Sequence, residues 1–397
     1  MSKWHRYRAT IQSLAAKPIT SSVVLSLRKE CGEELTRELI EVASIQAKAI
    51  KKFGEGVWMA TSRAIEQASD RSAAAYKASL MKELDILDLC GGIGGDAMGF
   101  AACGRVVTVD RDPQMTSMAA ENLRSIETTQ AAAVCADVER FVKHLGGTSL
   151  RCGIHIDPDR RADNRRTIDP FAYSPGLDFV NHVAATAQAC WVKLAPAAEL
   201  PQDVSQTFHR QWISVAGSVR EQSLLRGDCF VGAGLQRNER SAVKVHRDGA
   251  SCTFACSMPE SGSNANLSSS PLSYLYDLDP AVRAAGLSEA FAIRHSLNML
   301  SDASGFFTSD HAIPVTPLVQ SFKTIWTGPA DLKQIKKQLS LYSCSLQAIK
   351  VRGTDHDPAK LAKQLKQSDA HERIAAVLLI GRIRGGVFAA IGTPTAH

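Results

Sequence analysis

The stretch LDLCGGIGGDAMGFA, residues 87–101, decides the fold, because it joins a short apolar strand to an amphipathic segment through a run of glycines. Glycine at the end of a strand lets the main chain approach a ligand closely and turn into the next helix. Gly92 and Gly94 are followed by Gly95 and then Asp96, so the spacing differs from the GxGxxG pattern of dinucleotide-binding folds. A pyrophosphate ligand is therefore less favoured, whereas another ligand and a simple tight turn both remain open.

Short apolar strands alternate with helices on both sides of this loop. From Leu84 the order is LDILDLC, GDAMGFAACG, RVVTVD, PQMTSMAAENLRSI, AAAVCA, DVERFVKHLG, GIHID and DFVNHVAATAQACWVKLA. This alternation predicts an α/β fold with a doubly wound parallel sheet, which binds ligands at the carboxyl ends of its strands. Further strands at QWISVAG (211–217) and AVKVHR (242–247) complete the predicted sheet by about residue 257.

The region before the sheet has a helical pattern. Apolar residues recur at helical spacing from Ser22 to about Leu80, with Gly54 and Gly56 as a break and a second helix from about Arg63. We therefore expect an N-terminal helical region.

The region after the sheet begins with PESGSNANLSSS, 259–270, which is polar, rich in Gly and Ser and typical of a linker. Beyond it, helices (DPAVRAAGLSEAFAIRHSLNML, PAKLAKQLKQ) occur with strands (SLQAIKVRG, RIAAVLLIGR, GGVFAAIG), which predicts a small α+β domain. The expected organisation is a helical region at 1–80, a sheet domain at 81–258, a linker at 259–270 and a C-terminal domain at 271–397.

The composition indicates a soluble globular chain. Of 397 residues, 45% are hydrophobic and 22% are charged, and no apolar run is long enough for a membrane span. The basic start lacks the apolar segment of a signal peptide. Ten cysteines occur without a CxxC pair, and Cys252 and Cys256 have no His or Cys partners at zinc spacing. We therefore expect reduced thiols, a cytoplasmic protein and no metal site.

The net charge of +6 is unevenly distributed. Residues 331–397 contain eleven Lys or Arg against five Asp or Glu, and residues 1–20 contain four basic residues and no acid. Such ends fit a polyanionic partner such as RNA, whose phosphates attract Lys and Arg. They equally fit an ordinary solvated surface. No obligate protein partner is evident.

Four strands in succession carry an aspartate at or near the carboxyl end: Asp88, Asp110, Asp137 and Asp157. Asp110, at the end of VVTVD, is placed to accept hydrogen bonds from both ribose hydroxyls of a nucleoside ligand. Asp137 is placed to accept a hydrogen bond from an adenine amino group. Aspartate also forms turns after strands, which would explain each position separately. Four aspartates at corresponding positions of four strands favour a ligand site.

These motifs resemble those of the class I S-adenosylmethionine (SAM) methyltransferases. LDLCGGIGG matches their motif I, VTVDRDP carries the ribose acid, ADVERF the adenine-side acid, and IHIDPDRR matches the acceptor-side motif IV. The resemblance implies a Rossmann-like sheet, SAM as cofactor, and cofactor contacts from Asp88, Gly92, Gly94, Asp96, Asp110 and Asp137.

The chain more narrowly resembles a bacterial methyltransferase family with a C-terminal THUMP-like domain. The matching stretches include AIEQASDRSAAAYKASL, DPDRRADNRR, YSPGLDFV, KLAPAAELP, YLYDLDP, FTSD and IKVRGTDHDPAKLAKQL, which cover most of the chain from about residue 60. THUMP domains bind RNA, so the resemblance implies that the C-terminal domain docks RNA.

Methyl transfer is an in-line displacement that needs positioning and exclusion of water rather than a covalent nucleophile. Cys90, within the glycine loop, is accordingly interpreted as a small buried residue. Asp157 is placed to accept a hydrogen bond or a proton from an acceptor N–H, and Pro158 fixes the backbone after it. Related amine methylases often have a second proline and then an aromatic residue after the first proline, whereas this chain has Asp159, Arg160 and Arg161 there. Arginine can stack on a base or pair with phosphate. The two arginines could equally pair with structural carboxylates.

We therefore predict a SAM-dependent methyltransferase that methylates a base in tRNA or rRNA, with Asp157, Pro158, Arg160 and Arg161 as catalytic residues. Two alternatives stay open. One is a methyltransferase for a protein or small molecule, and the other is a SAM-binding protein without turnover.

Overall fold

The computed structural model describes residues 2–126, 130–146, 150–159, 161–162, 165–257, 265–302, 305–365 and 373–395, with the backbone alone at 161–162 and 165–166. Contacts divide the chain into two compact units. The first contains 1–210, 220–238 and 245–251, and the second contains 211–219, 239–244 and 252–397. The predicted linker at 259–270 lies partly outside the described residues.

Seven helices precede the sheet: α1 Lys3–Arg6, α2 Arg8–Ala15, α3 Ser21–Cys31, α4 Glu33–Ser44, α5 Gln46–Phe53, α6 Ser62–Gln67 and α7 Arg71–Leu80. The apolar pattern before Gly54 does not form one helix but three. Gly32 ends α3 with φ +82°, a left-handed value that glycine adopts readily, and Glu33 starts the next helix directly after it.

The first unit continues with alternating strands and helices: β1 Ile86–Leu89, α8 Gly95–Ala101, β2 Val106–Asp110, α9 Pro113–Arg124, β3 Ala131–Cys135, α10 Val138–His144, β4 Leu150–Ile156, β5 Arg161–Ala162, β6 Arg165–Arg166, α11 Leu177–Thr186, β7 Ala187–Leu194, α12 Gln202–Thr207, β9 Ser218–Gly227 and α13 Asp228–Gly232. Strand β8 His209–Val215, which follows α12 in the chain, belongs mostly to the second unit. A 3-10 turn at Pro170–Ala172 precedes α11. Each of the strands predicted from Leu84 to Ala195 is present.

The sheet of this unit has the order β3-β2-β1-β4-β7-β9. The first five strands are parallel, and β9 runs antiparallel to β7. The chain proceeds outward from β1 to β2 and β3 and then returns to place β4 on the other side of β1. This reversal is the switch point at which doubly wound sheets bind their ligands.

The central strands are apolar because both of their faces are covered. All four residues of β1 are buried, and Leu89 packs with Ile154, Ile156 and Val192 in one hydrophobic cluster. This packing holds the carboxyl ends of β1 and β4 side by side.

The second unit contains β10 Glu239–Val245, β11 Ser251–Ser257, β12 Tyr274–Leu278, α14 Pro280–Ala284, α15 Ser288–Arg294, β13 Asn298–Met299, β14 Phe307–Ser309, β15 Val319–Pro329, α16 Leu332–Leu341, β16 Cys344–Arg352, α17 Pro358–Gln364, β17 Ile374–Ile383 and β18 Gly386–Pro394. Strands β11, β10 and β8 neighbour one another in that order, and a seven-stranded sheet has the order β13-β14-β12-β15-β18-β17-β16. The predicted C-terminal helix 279–300 is divided at Gly286, which has φ +70°.

One buried carboxylate links two strands that are far apart in this sheet order. Asp277 on β12 is 4% exposed and is bonded by Lys350 Nζ at 2.7 Å and by Arg352 Nε at 3.0 Å, both from the edge strand β16. Arg283 Nη1, from α14, adds a third bond at 3.0 Å. The sheet is therefore curved enough to bring its third and last strands together.

Within the described residues, no helix is both long and apolar enough to cross a membrane.

Candidate active site

A cavity of about 460 Å³ opens at the carboxyl ends of β1, β2, β3 and β4, a volume typical of small-molecule sites. Each of these strands contributes to the wall through the segment that directly follows it, and α6 contributes a further part. The lining residues are Thr61, Arg63, Ala64, Gln67, Ala68, Cys90, Gly91, Gly92, Ile93, Asp110, Arg111, Asp112, Gln114, Met115, Asp137, Val138, Glu139, Asp157, Pro158, Asp159, Ser174 and Pro175.

The loop after β1 explains why glycines follow the first strand. Gly92 has φ +55°, and no atom lies within 4 Å of the place where its Cβ would stand, so its main chain borders open space. Gly91 is constrained differently, because a Cβ there would collide with Thr108 Oγ1 and Asp88 Oδ2. One glycine thus leaves room at the cavity wall, and the other accommodates buried side chains beneath it.

Asp110 is fixed in the cavity wall by the main chain. Its Oδ2 accepts a hydrogen bond from Gly92 N at 2.8 Å, and its Oδ1 accepts one from Asp112 N at 2.9 Å. Burial raises the pKa of Asp110 above its usual value, against the opposing effect of these two main-chain bonds. An ionised carboxylate accepts about four hydrogen bonds, so both oxygens can still receive bonds from a ligand.

Asp137 lies at the first residue before α10 and also lines the cavity. Its Oδ1 caps that helix by accepting a bond from Arg140 N at 3.0 Å. The cap fixes the side chain at the end of β3, beside the segment that follows β2.

Three predicted cofactor residues, Asp88, Gly94 and Asp96, are not among those that line the cavity. Asp88 is fully buried and accepts bonds from Thr108 Oγ1 at 2.8 Å and His155 Nδ1 at 2.7 Å. Gly94 has φ +84° and starts α8. These three residues lie in or below the loop and support its shape.

Cys90 lines the cavity with φ +60°, a left-handed value that is uncommon for a residue with a side chain. Burial and the nearby carboxylates of Asp110, Asp157 and Asp88 raise the pKa of its thiol well above the usual value. The sulfur is therefore a protonated thiol at neutral pH, which is a poor nucleophile.

Asp157 follows β4 and is held by a lysine of β7. Lys193 Nζ lies 2.6 Å from Asp157 Oδ2, and the Asp157 side chain is 27% exposed towards the cavity it lines. Lys193 Nζ also lies 3.2 Å from Ser69 Oγ and 3.9 Å from Asp96 Oδ2. Asp157 is thus connected through Lys193 to the buried Asp96 of α8.

A second buried lysine completes this charged cluster. Lys77 Nζ lies 2.9 Å from Asp96 Oδ1 and 2.9 Å from Glu221 Oε2. Burial alone would raise the pKa of Asp96, but the charges of Lys77, His155 and Lys193 hold it far below its usual range. Asp96 is therefore ionised at neutral pH.

Sequence reasoning did not single out Lys77, Lys193 or Glu221 as site residues. In the sequence, each of them is a charged residue within a segment that is otherwise uncharged. Lys193 lies in WVKLA of β7, Glu221 in EQSLL of β9, and Lys77 in the alanine-rich α7. A single charge of this kind is usually interpreted as solvent-exposed, and only tertiary contacts reveal the pairing.

The segment after Asp157 forms the remaining wall. Pro158 and Asp159 line the cavity, and Asp159 exchanges main-chain hydrogen bonds with Ser174 at 2.8 and 3.0 Å. Arg160 lies outside the described residues. Arg161 pairs through its backbone with Arg166 in the short β5–β6 ladder.

The cavity is acidic. Among the described residues, six carboxylates line it, from Asp110, Asp112, Asp137, Glu139, Asp157 and Asp159, against two arginines, Arg63 and Arg111. Such a wall favours cationic ligands and ligands that donate hydrogen bonds. In the described part of the chain, no group of three or more His, Cys, Asp or Glu is arranged to hold a metal ion.

The sequence has relatives among known proteins, although no model of a known protein family matches it. Two Mycobacterium tuberculosis proteins, from strains CDC 1551 / Oshkosh and H37Rv, are 25% identical over 86% of this chain and 92% of their own length. Both are described as uncharacterized S-adenosylmethionine-dependent methyltransferases. A crystal structure from Porphyromonas gingivalis W83, assigned as a candidate methyltransferase, matches all of both chains with a TM-score of 0.77 at 16% identity. The mixed α/β fold is thereby confirmed.

Proposed function

We propose that the protein is a SAM-dependent methyltransferase that transfers the methyl group to a nitrogen atom of a base in tRNA or rRNA. The observation that carries the proposal is the meeting of Gly92, Asp110, Asp137 and Asp157 on one cavity at the switch point of the sheet. When bound, SAM supplies an electrophilic methyl group on a sulfonium.

The cofactor half of the cavity contains Gly92, Asp110 and Asp137. Asp110 would accept the ribose hydroxyls, and Asp137 would face the adenine. The open space at Gly92 would let the cofactor approach the main chain. Gly94, Asp88 and Asp96 would not contact the cofactor but would stabilise the conformation of the glycine loop from below.

The acceptor half contains Asp157 and Pro158. Asp157 would accept a hydrogen bond from the acceptor N–H, so that the nitrogen lone pair points at the methyl carbon. Transfer would break the C–S bond of SAM and form the N–C bond, and Asp157 would take the N–H proton and pass it to water. Arg160 and Arg161 would stack on the base or pair with its phosphate.

The positive charge of the second unit supports RNA as the acceptor. Its helices α16 and α17 and the β17–β18 turn carry exposed cations at Lys333, Lys336, Lys337, Lys360, Lys363, Arg382 and Arg384. Phosphates attract such cations in a salt-dependent manner. We propose that residues 271–397 form a THUMP-like domain that docks RNA.

The acidic cavity favours a second candidate, an amine of a protein or of a small molecule. Its six carboxylates would attract a cationic amine as well as the sulfonium. The amino group of a base could bind the same carboxylates by donating hydrogen bonds to them.

Transfer of radiolabelled methyl from SAM to total RNA and, separately, to total protein tests these candidates, with both pools taken from cells that lack the gene. We expect label in RNA, and a loss of at least about 10²-fold with Asp157→Asn, because the amide cannot take the proton. SAM affinity of the variant, measured by calorimetry, should stay near that of the wild type.

Label in protein alone would favour the second candidate. Label in neither pool, with SAM still bound, would contradict methylation of macromolecules. Full activity of Asp157→Asn would remove Asp157 from the mechanism.

A further inference from the structure

The strand β7 contains a lysine that its surroundings do not require for packing. Lys193 stands between Val192 and Leu194, both at most 2% exposed, and is itself 6% exposed. Burying a lysine is costly, and replacing a buried ion pair with apolar residues is often neutral or stabilising. A residue that only packs this strand would be served better by an aliphatic side chain.

The two lysines of the buried cluster have different partners. Lys77 bonds two interior carboxylates, Asp96 and Glu221, whose side chains are 6% and 2% exposed. Lys193 makes its shortest bond, 2.6 Å, to Asp157, which is 27% exposed and lines the cavity. Lys193 is therefore the lysine of the cluster whose ammonium group bonds a carboxylate of the cavity wall.

The position of the Lys193 ammonium is itself fixed. Ser69 Oγ lies 3.2 Å from Nζ, and Asp96 Oδ2 lies 3.9 Å from it. Burial lowers the pKa of Lys193, but Asp157, Asp96 and Glu221 more than compensate and raise it above its usual value. The ammonium is charged throughout the physiological range.

We propose that Lys193 is a positioning residue for methyl transfer: it occupies Asp157 Oδ2 and so directs Asp157 Oδ1 to the N–H of the acceptor. This inference rests on the proposed function, because it assigns to Asp157 an acceptor that carries an N–H. It adds a specificity: with one oxygen held by an ammonium, the carboxylate is a directed hydrogen-bond acceptor, and an acceptor atom without a hydrogen is not selected.

Kinetics of label transfer to total RNA from cells lacking the gene test the proposal with Lys193→Met, Lys193→Arg, Asp157→Asn and the double variant Lys193→Met/Asp157→Asn. We expect Lys193→Met to lower kcat by about 10²-fold, with the Kd of S-adenosylhomocysteine within about twofold of wild type. Lys193→Arg should recover part of kcat, since it keeps the charge. The double variant should be no slower than Asp157→Asn alone, because the two residues act as one unit.

Lys77→Met is the matched control, because it also removes a buried ammonium from the cluster but does not remove the one bonded to Asp157. Its effect on kcat should multiply with that of Asp157→Asn. A kcat of Lys193→Met within twofold of wild type, or effects of Lys193→Met and Asp157→Asn that multiply, would overturn the proposal.

Crystal structures of wild type and Lys193→Met with S-adenosylhomocysteine give a readout that needs no acceptor. We expect one Asp157 rotamer in the wild type and a turned or divided carboxylate in the variant. An unchanged Asp157 would overturn this proposal alone, even if RNA is labelled, whereas absence of label in the wild type would overturn the proposed function on which it rests. If Lys193→Met does not fold, Lys193→Gln and Lys193→Arg carry the same comparison.

Discussion

Asp110 combines two demands that oppose each other. Its carboxylate must be ionised to accept hydrogen bonds from a ligand strongly, yet burial raises its pKa above the usual 3.8. The main-chain amides of Gly92 and Asp112 offset part of this cost and also fix its orientation. Perturbed carboxylates of this kind are frequent at functional sites.

We expect the affinity for S-adenosylhomocysteine to fall as the pH is lowered from 7 towards 4.5. The ionised form of Asp110 is the better acceptor, and its raised pKa moves protonation to a higher pH than for an ordinary aspartate. Losing the charge-assisted part of the interaction should cost about 1 kcal/mol, or roughly fivefold in Kd. Calorimetry at both pH values measures the change, with circular dichroism to confirm that the protein stays folded.

Asp110→Asn is the control for this prediction. It should bind more weakly at pH 7 and show little further loss at pH 4.5. An equal pH dependence in the variant would assign the effect to another group.

Gly91 and Gly92 are adjacent but should respond differently to alanine. In Gly91→Ala the new Cβ would clash with Thr108 Oγ1 and Asp88 Oδ2, which are buried and hydrogen-bonded to each other. The free energy of unfolding should therefore fall by about 1–3 kcal/mol. In Gly92→Ala the Cβ enters open space, so strain at φ +55° costs about 1–2 kcal/mol and cofactor affinity falls. Urea unfolding and calorimetry on both variants separate the effects. Equal cofactor affinity in wild type and Gly92→Ala would contradict the placement of the cofactor.

At the scale of elements, ion pairs connect α7, α8 and β9. Lys77 of α7 bonds Asp96 of α8 and Glu221 of β9. Because the folded-state pKa of Asp96 is lowered, this carboxylate contributes stability above its unfolded value of about 3.9, and the contribution is lost as the pH falls.

Lys77→Met should lower the free energy of unfolding by about 3–5 kcal/mol at pH 7, because it leaves two buried carboxylates without that partner. Lys48→Met, which removes a pair with Glu66 at 2.8 Å between side chains 54% and 60% exposed, should cost less than about 1 kcal/mol. Urea unfolding measures both. Similar losses in the two variants would mean that the buried cluster is weaker than its geometry indicates.

The elements were predictable from sequence where one local pattern determined them. Strand–helix alternation predicted β1 to β4 and β7, and aspartate at strand ends indicated where the cavity walls meet. The split of the first long helix at Gly32 was missed, since the apolar pattern continues across it. The Lys193–Asp157 pair was also missed, because it joins residues 36 positions apart through the packing of β4 beside β7.

At the scale of the whole molecule, opposite charges are concentrated in different regions. The cavity wall of the first unit is acidic, whereas residues 331–397 contain eleven Lys or Arg against five acids. A polyanion would be attracted to the basic surface, while the cavity would admit a neutral or cationic group. Under the proposed function, the basic surface would bind the nucleic-acid backbone and the cavity would accept the base.

The bonds from Lys350 and Arg352 to Asp277 have a consequence for solubility. Strand β16 is an edge of its sheet, and an edge strand exposes main-chain groups that can recruit a strand from another molecule. Inward-pointing charges and strong curvature both discourage such pairing. Asp277 is the partner of those charges, so we expect this one buried aspartate to discourage pairing at the β16 edge.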